Sequence, residues 1–174
     1  ESLRKIGKYN LFATYYAGTY FGIEQAVEID SLIKCIQSQD KPFRNSLYAC
    51  LFYAMKEAVF SKDGHMAQPL NPEKNERKLF IVREKSIFDY FKLKFNEYLS
   101  LPLSKYNGTN NVYNYDFNDL LEKVNLNDVG LIYADPPYTD MQYSRYYHLL
   151  NVAAHYDYPD LTVGKNGKYT TGLY

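Results

Sequence analysis

The chain has few cysteines, no excess of either charge and no long apolar segment. Cys35 and Cys50 are its two cysteines, and no cysteine and histidine cluster has zinc spacing. Both cysteines lie in helix-like patterns, so we expect core thiols, a reducing cytoplasm and no metal site. No apolar run is long enough to span a bilayer and no signal peptide is visible, so no membrane partner is expected.

Basic and acidic residues are equal in number. The 20 lysines and arginines match 20 aspartates and glutamates, which gives a net charge of zero. This balance does not favour a nucleic-acid partner, because such proteins normally present a basic face. It does not exclude one, because local patches matter more than the sum. The 20 tyrosines leave two interpretations open, stacking surfaces for bases or a tyrosine-rich core.

The first part of the chain has helical periodicity. Apolar residues recur at helical spacing over 23–37, over 45–60 and, after a Ser86 cap, as far as Leu99. Lys41-Pro42 separates the first two predicted helices, and the charged, proline-containing segment 69–78 predicts an exposed loop. The predicted inward stripes are Ile23, Ala26, Val27, Ile33 and Ile36, then Leu47, Leu51, Ala54 and Ala58, then Ile87, Phe91, Phe95 and Tyr98.

The periodicity changes beyond residue 108. Residues 111–115 alternate like a short strand, residues 117–124 predict a short helix, and the apolar run 129–134 predicts a buried strand. Strand, helix and strand with acids at the strand ends are typical of an open α/β sheet. We therefore divide the chain into a mainly helical region, 1–108, and an α/β portion, 109–174.

The tetrapeptide Asp135-Pro136-Pro137-Tyr138 follows the second predicted strand directly. A carboxylate accepts one hydrogen of an amine and a backbone carbonyl accepts the other, and both bonds strengthen as positive charge grows on the nitrogen. Two prolines hold the loop extended, and a tyrosine ring stacks on an unstacked base. The pattern favours methyl transfer to the amino group of a nucleobase. An ordinary turn is the alternative, because Asp before Pro commonly starts one.

Two stretches resemble the adenine-specific DNA methyltransferases. In the first, residues 133–150, the tetrapeptide is followed by Gln142-Tyr143-Ser144 and then by Tyr147-His148-Leu149-Leu150. The second stretch runs from Gly18-Thr19-Tyr20-Phe21 through Gln25-Ala26 to Ile29-Asp30 and resembles an upstream block of that group.

The resemblance implies a Rossmann-like α/β sheet, with region 1–108 as a helical insert for target recognition. It implies S-adenosyl-L-methionine as the methyl donor and double-stranded DNA as the partner. Asp135 and the Pro136 carbonyl would polarise the adenine amine, Pro137 would complete the rigid loop, and Tyr138 would stack on the flipped base.

The same resemblance assigns the remaining site residues. Asp116 would contact the adenine part of the donor, although a helix N-cap explains an acid there equally well. Gln142, Tyr143, Ser144 and Arg145 would line the target pocket or touch the DNA backbone. His148 is either part of that pocket or a histidine packed on its helix.

One feature of the family is lacking. Its glycine-rich donor loop has the form Phe-x-Gly-x-Gly, and the candidate here, Tyr16 to Gly22, lacks the close glycine spacing. We therefore expect a piece of a larger enzyme that starts after the donor loop. An adenine in structured RNA is an alternative substrate, and a non-catalytic nucleic-acid-binding remnant is an alternative class. An orphan methylase or a restriction–modification pair with an endonuclease partner is the expected setting.

Overall fold

A computed structural model describes residues 9–61, 65–102, 108, 110–127, 129–136 and 144–158, and the backbone of 162–163 and 170–171. These residues contain seven helices and two short strands: α1 Leu11–Tyr15, α2 Ile23–Gln37, α3 Lys41–Ala58, α4 Pro72–Arg83, α5 Ile87–Ser100, α6 Phe117–Lys123, α7 Ser144–His155, β1 Thr162–Val163 and β2 Thr170–Thr171.

The chain divides into two compact units. The first comprises Glu1–Leu101 and Gln142–Tyr174, and the second comprises Pro102–Met141. The boundary at residue 108 that separates the helical and α/β regions is not tested by this division, so it stays a prediction. Among the described residues, no helix has the length and apolar character needed to cross a membrane.

The predicted Rossmann-like α/β sheet is wrong for the part of the chain that the structure describes. The one sheet there is the antiparallel pair β1 and β2, with Thr162 opposite Thr171. The apolar run 129–134 forms no strand, and Leu131 and Tyr133 are 86% and 84% exposed. A strand needs neighbours that take up its backbone N–H and C=O groups, and the run at 111–115 does not pair with it.

The core lies in the first unit, where α3 packs most extensively on α5, and α2 packs on α1, α3 and α5. The inward stripe predicted for α2 is partly wrong, because Ile23 is 67% exposed and Val27 is 49% exposed. The residues of α2 that enter the core are Ala26, Ile29, Leu32, Ile33 and Ile36. At 3.6 residues per turn, Ile23 lies roughly a third of a turn, and Val27 roughly two fifths of a turn, from the centre of that face.

Prolines begin two helices that the sequence prediction placed later or omitted. Pro42 lies in the first turn of α3, so Lys41-Pro42 starts this helix instead of separating two elements. The predicted loop 69–78 is wrong over most of its length, because α4 begins there at Pro72. The Asn71 side chain caps α4 by accepting a hydrogen bond of 2.9 Å from the Glu73 N–H. A proline fits the first turn because its missing N–H has no helical partner there.

The third predicted helix is confirmed as α5. The Ser86 hydroxyl accepts a hydrogen bond of 3.2 Å from the Asp89 N–H, which is the predicted cap. Ile87 is completely buried, and Phe91 packs against the core. Tyr98 does not face inward as predicted, because it is 48% exposed. Its hydroxyl accepts a hydrogen bond of 3.1 Å from Ser46.

Polar side chains of α2 fix the positions of the neighbouring helices. The Gln25 amide donates to the carbonyls of Val82 and Lys85 at 2.8 and 2.7 Å, which satisfies the end of α4. The Glu28 carboxylate accepts from the Ser86 hydroxyl at 3.0 Å and from the Ile87 N–H at 2.6 Å, at the start of α5. One helix therefore holds the end of α4 and the beginning of α5 together.

Asp30 of α2 is the one buried acid among the residues that the structure describes, at 2% exposure. Its carboxylate accepts from the N–H groups of Phe12 and Ala13 at 3.0 and 2.9 Å, and from the Tyr156 hydroxyl at 2.5 Å. The same hydroxyl accepts from the Leu11 N–H at 3.2 Å. Burial raises the pKa of the Asp30 carboxyl, and the hydrogen bonds from Tyr156, Ala13 and Phe12 oppose that rise. The network joins α1, α2 and the segment after α7.

The two cysteines differ in environment. Cys50 is buried in α3 as predicted, and burial raises the pKa of its thiol. Cys35 of α2 is exposed, so the expectation of a second core thiol is wrong. The described residues contain no group of three or more side chains able to hold a metal ion.

We predict that Asp30→Asn lowers the free energy of unfolding of the full chain by about 1–3 kcal/mol, because an amide nitrogen would replace one acceptor and leave a buried N–H unpaired. Chemical denaturation followed by circular dichroism measures this change. Asp40→Asn is the matched control, since Asp40 is exposed and its side chain makes no cap hydrogen bond. Equal stability losses in the two variants would contradict the prediction.

Candidate functional site

The first half of the tetrapeptide motif lies in the second unit. Asp135 and Pro136 are exposed there, and Pro137 and Tyr138 lie outside the described residues. The predicted role of Asp135 on an amine, and the roles of Pro136, Pro137 and Tyr138, stay predictions.

Asp116 is the N-cap of α6. Its side chain accepts a hydrogen bond of 2.9 Å from the Asn118 N–H, and its carbonyl accepts one of 2.9 Å from the Leu120 N–H. The N-cap interpretation is thus confirmed. The hydrogen bond from Asn118 uses one carboxylate oxygen, Oδ1. Asp116 is exposed, so the cap does not prevent its second carboxylate oxygen from contacting a methyl donor. Contact with the donor's adenine stays a prediction.

A pair of exposed tyrosine rings precedes Asp116, and the sequence analysis did not single it out. Tyr113 and Tyr115 stack with centroids 5.9 Å apart and planes 18° apart. The Lys123 ammonium lies 4.8 Å from the centroid of the Tyr115 ring. Their alternation, two residues apart, is the sequence signal that places both rings on one side of the chain.

The residues after the motif lead into α7. Gln142 and Tyr143 lie outside the described residues, whereas Ser144 and Arg145 form the first turn of α7 and are half-buried. The Arg145 carbonyl lies 3.0 Å from Nδ1 of His148. The predicted contacts of these four residues with a target base or DNA backbone stay predictions.

His148 is completely buried, which supports the packing alternative for this residue. Its ring meets the Tyr20 ring edge to face, with centroids 5.5 Å apart. Burial lowers the pKa of the His148 imidazole, and the Arg145 carbonyl opposes that shift. The contact joins the two stretches that carry the family resemblance, since Tyr20 belongs to the upstream block.

The segment between α3 and α4 packs against the first turn of α7, which the sequence analysis did not predict. The Met66 N–H donates a hydrogen bond of 3.0 Å to the Tyr146 carbonyl. The rings of His65 and Tyr146 meet edge to face at 4.9 Å. Met66 is 2% exposed, and an apolar residue within the polar run 61–69 was the available signal. The segment therefore braces the helix that follows the motif.

The segment that most resembles a donor loop does not form one. Gly18 has a φ of 76°, which only glycine adopts readily, and its N–H donates to the Phe21 carbonyl at 2.7 Å. Tyr20 and Phe21 are buried in the core. The Gly22 N–H is taken by the Gln25 side chain at 2.8 Å. This segment is a packed turn between α1 and α2, and its N–H groups are engaged with the protein.

Comparisons with known proteins agree with the motif. A family model described as D12 class N6 adenine-specific DNA methyltransferase matches residues 73–166, just over half of the chain. The chain is 44% identical over 68 residues to Type II methyltransferase M.FokI of Planomicrobium okeanokoites and 41% identical over 69 residues to Modification methylase LlaI of Lactococcus lactis subsp. lactis. These matches cover 39% and 40% of the chain.

The chain spans 10% of the length of each of these two relatives. No solved structure matches the chain.

We predict that stability falls as the pH drops below 6.5, the ordinary pKa of histidine. The folded pKa of His148 is lower, so the unfolded state takes up the proton first and is favoured as the pH falls. In His148→Gln this part of the pH dependence should disappear. Urea unfolding at several values between pH 5 and 8 measures it.

The control for this experiment is His155→Gln, because His155 is exposed at the end of α7. This variant should keep the pH dependence of the wild-type chain. The same dependence in His148→Gln would show that another group is responsible.

Proposed function

Because the chain belongs to the D12 class N6 adenine-specific DNA methyltransferase family, we propose that the full-length protein methylates the N6 amine of adenine in double-stranded DNA. The observation that carries the proposal is the Asp135-Pro136-Pro137-Tyr138 motif, which lies within the matched residues 73–166.

Asp135 and the Pro136 carbonyl act on the amine. The adenine amine is a poor nucleophile because its lone pair is delocalised into the ring. Two acceptors on its two hydrogens favour a tetrahedral nitrogen and gain strength as that nitrogen becomes positive, so they stabilise the transition state more than the ground state. The methylated nitrogen then loses a proton, which needs no separate general base.

The target adenine must leave the duplex before its amine reaches Asp135, because enzymes that modify bases act on extruded or unpaired nucleotides. Tyr138 supplies a stacking face in this proposal, with Pro137 fixing the loop between them. Gln142, Tyr143, Ser144 and Arg145 contact the base or the neighbouring backbone. The buried His148 fixes α7 in the core, so it acts as a positioning residue.

S-adenosyl-L-methionine is the proposed donor and supplies an electrophilic methyl group when it is bound. The residues present fit this molecule at one point, the exposed Asp116 carboxylate, which holds the adenine part in the proposal. The turn from Gly18 to Gly22 does not fit, because its N–H groups are occupied and its rings are buried. We assign no step of the reaction to other residues of the donor site.

That packed turn favours a second candidate, a nucleic-acid-binding protein that keeps the base pocket and has lost donor binding. Calorimetric titration of the full-length protein with S-adenosyl-L-methionine separates the two candidates. Heat of binding at one site supports the enzyme, and its absence supports the remnant. If the protein is the enzyme, we propose a restriction endonuclease as its functional partner.

We predict that Asp135→Asn reduces the rate of methyl transfer by the full-length protein about a hundredfold or more, because one preorganised charged acceptor is lost at the transition state. Single-turnover transfer of labelled methyl to duplex DNA measures the rate. Binding of DNA and donor should stay within about threefold of wild type, since the loss is confined to the transition state.

The matched control is Asp119→Asn in the same unit. Asp119 is exposed and pairs only with Lys123 at the surface, at 2.9 Å, where an ion pair contributes little. Its variant should methylate at the wild-type rate. If Asp135→Asn also keeps a rate within a few-fold of wild type, Asp135 does not polarise the amine.

A further inference from the structure

No residue of the helix α4 is fully buried, and its apolar residues Leu79 and Val82 are half-buried. Polar contacts attach it to the rest of the first unit: Gln25 donates to the Val82 carbonyl, and the Lys78 ammonium donates to the Ser61 carbonyl at 3.3 Å. A surface helix normally buries an apolar stripe. In α4 this stripe is only half-buried at Leu79 and Val82, and most of the helix surface is exposed.

A hollow of about 520 Å³ runs beside α4, and its charge is one-sided. Four of the five charged residues that line it are basic, namely Lys74, Arg77, Lys78 and Lys85, and Glu76 is the single acid. Asn75, Ile81 and Val82 complete the lining. The hollow is thus a local basic surface on a chain whose net charge is zero.

Within the described part of the chain, no ion pair neutralises the positive charges of this hollow. Lys78 and Lys85 donate to the carbonyls of Ser61 and Glu57, which carry no net charge. The lysine ion pairs recorded for the described residues involve Lys56, Lys94 and Lys123 instead. Each ammonium has three N–H donors. Lys78 uses one on the Ser61 carbonyl, and Lys85 uses one on the Glu57 carbonyl and lies 5.5 Å from the centroid of the Tyr90 ring.

We propose that this basic hollow binds the phosphate backbone of the duplex that the protein methylates, an inference that rests on the proposed function. Arg77 matches a phosphate with two parallel N–H donors, and Lys74 adds a point charge. The lining charges favour a polyanion over a protein surface of mixed charge. Contacts to phosphate fix the position of the protein on DNA and carry no base specificity.

The test measures the salt dependence of duplex binding by the full-length protein. Removing two phosphate contacts with Lys74→Gln and Arg77→Gln should reduce the slope of log K against log salt by about 1.8, since each contact contributes about 0.9. The reduction should be the same for duplexes with and without the methylation site. Fluorescence anisotropy measures duplex binding between about 50 and about 300 mM salt. This roughly sixfold range of salt concentration is wide enough to determine the slopes.

The control is the double variant Arg83→Gln and Lys92→Gln, which removes the same net charge. Both residues are exposed and neither lines the hollow, so the slope should stay at the wild-type value. Lys78 and Lys85 are left unchanged because they anchor α4. Thermal unfolding of both double variants checks that the fold is retained.

The outcomes separate this inference from the proposed function. If the wild-type protein methylates DNA but the Lys74→Gln and Arg77→Gln variant has the same slope as the control variant, only the phosphate-binding hollow is contradicted. A wild-type protein that binds duplex DNA but methylates none overturns the proposed function and leaves the hollow to be judged on the slopes. A wild-type protein that binds no duplex overturns both.

Discussion

The buried carboxylate of Asp30 is the interaction on which the first unit depends. One side chain on α2 accepts from two N–H groups of α1 and from the Tyr156 hydroxyl beyond α7. Burial of such a group is tolerated only when its partners are all present, so the three elements are fixed together. Tyr156 follows α7 with a φ of 51°, an uncommon conformation for a non-glycine residue that the network holds in place. The helix after the methyltransferase motif is therefore anchored at both ends, by Asp30 at its end and by Met66 at its first turn.

Local rules predicted the helices well where a cap or a single apolar face was present. Ser86 identified the start of α5, and the apolar period identified the inner face of α3. The inner face of α2 was misplaced because Ile23 and Val27 are apolar but lie outside the contact with the core. The helix α4 was missed because its charges resemble a loop, although Asn71-Pro72 is a normal helix start. The predicted sheet was wrong because the apolar run 129–134 does not by itself establish a strand, which depends on neighbours elsewhere in the chain.

The candidate site, like the fold, was only partly predictable from the sequence. The motif at Asp135 could be found from sequence because its chemistry depends on residue types in a fixed order. Asp116 offered two interpretations, and the structure confirms the cap without testing the donor contact. The brace from His65 and Met66 to Tyr146 could not be predicted, because it arises from packing between distant segments. In the upstream block, Gln25 holds the end of α4, and Asp30 joins α1 to the segment after α7.

The central claim is that the full-length protein places a methyl group on the N6 nitrogen of adenine in DNA. The most direct measurement is mass spectrometry of nucleosides after incubation of the protein with duplex DNA, structured RNA and methyl-labelled S-adenosyl-L-methionine in one reaction. The account predicts label in N6-methyldeoxyadenosine and in no ribonucleoside. Label in RNA adenosine, label on cytosine, or no incorporation into either nucleic acid would contradict it.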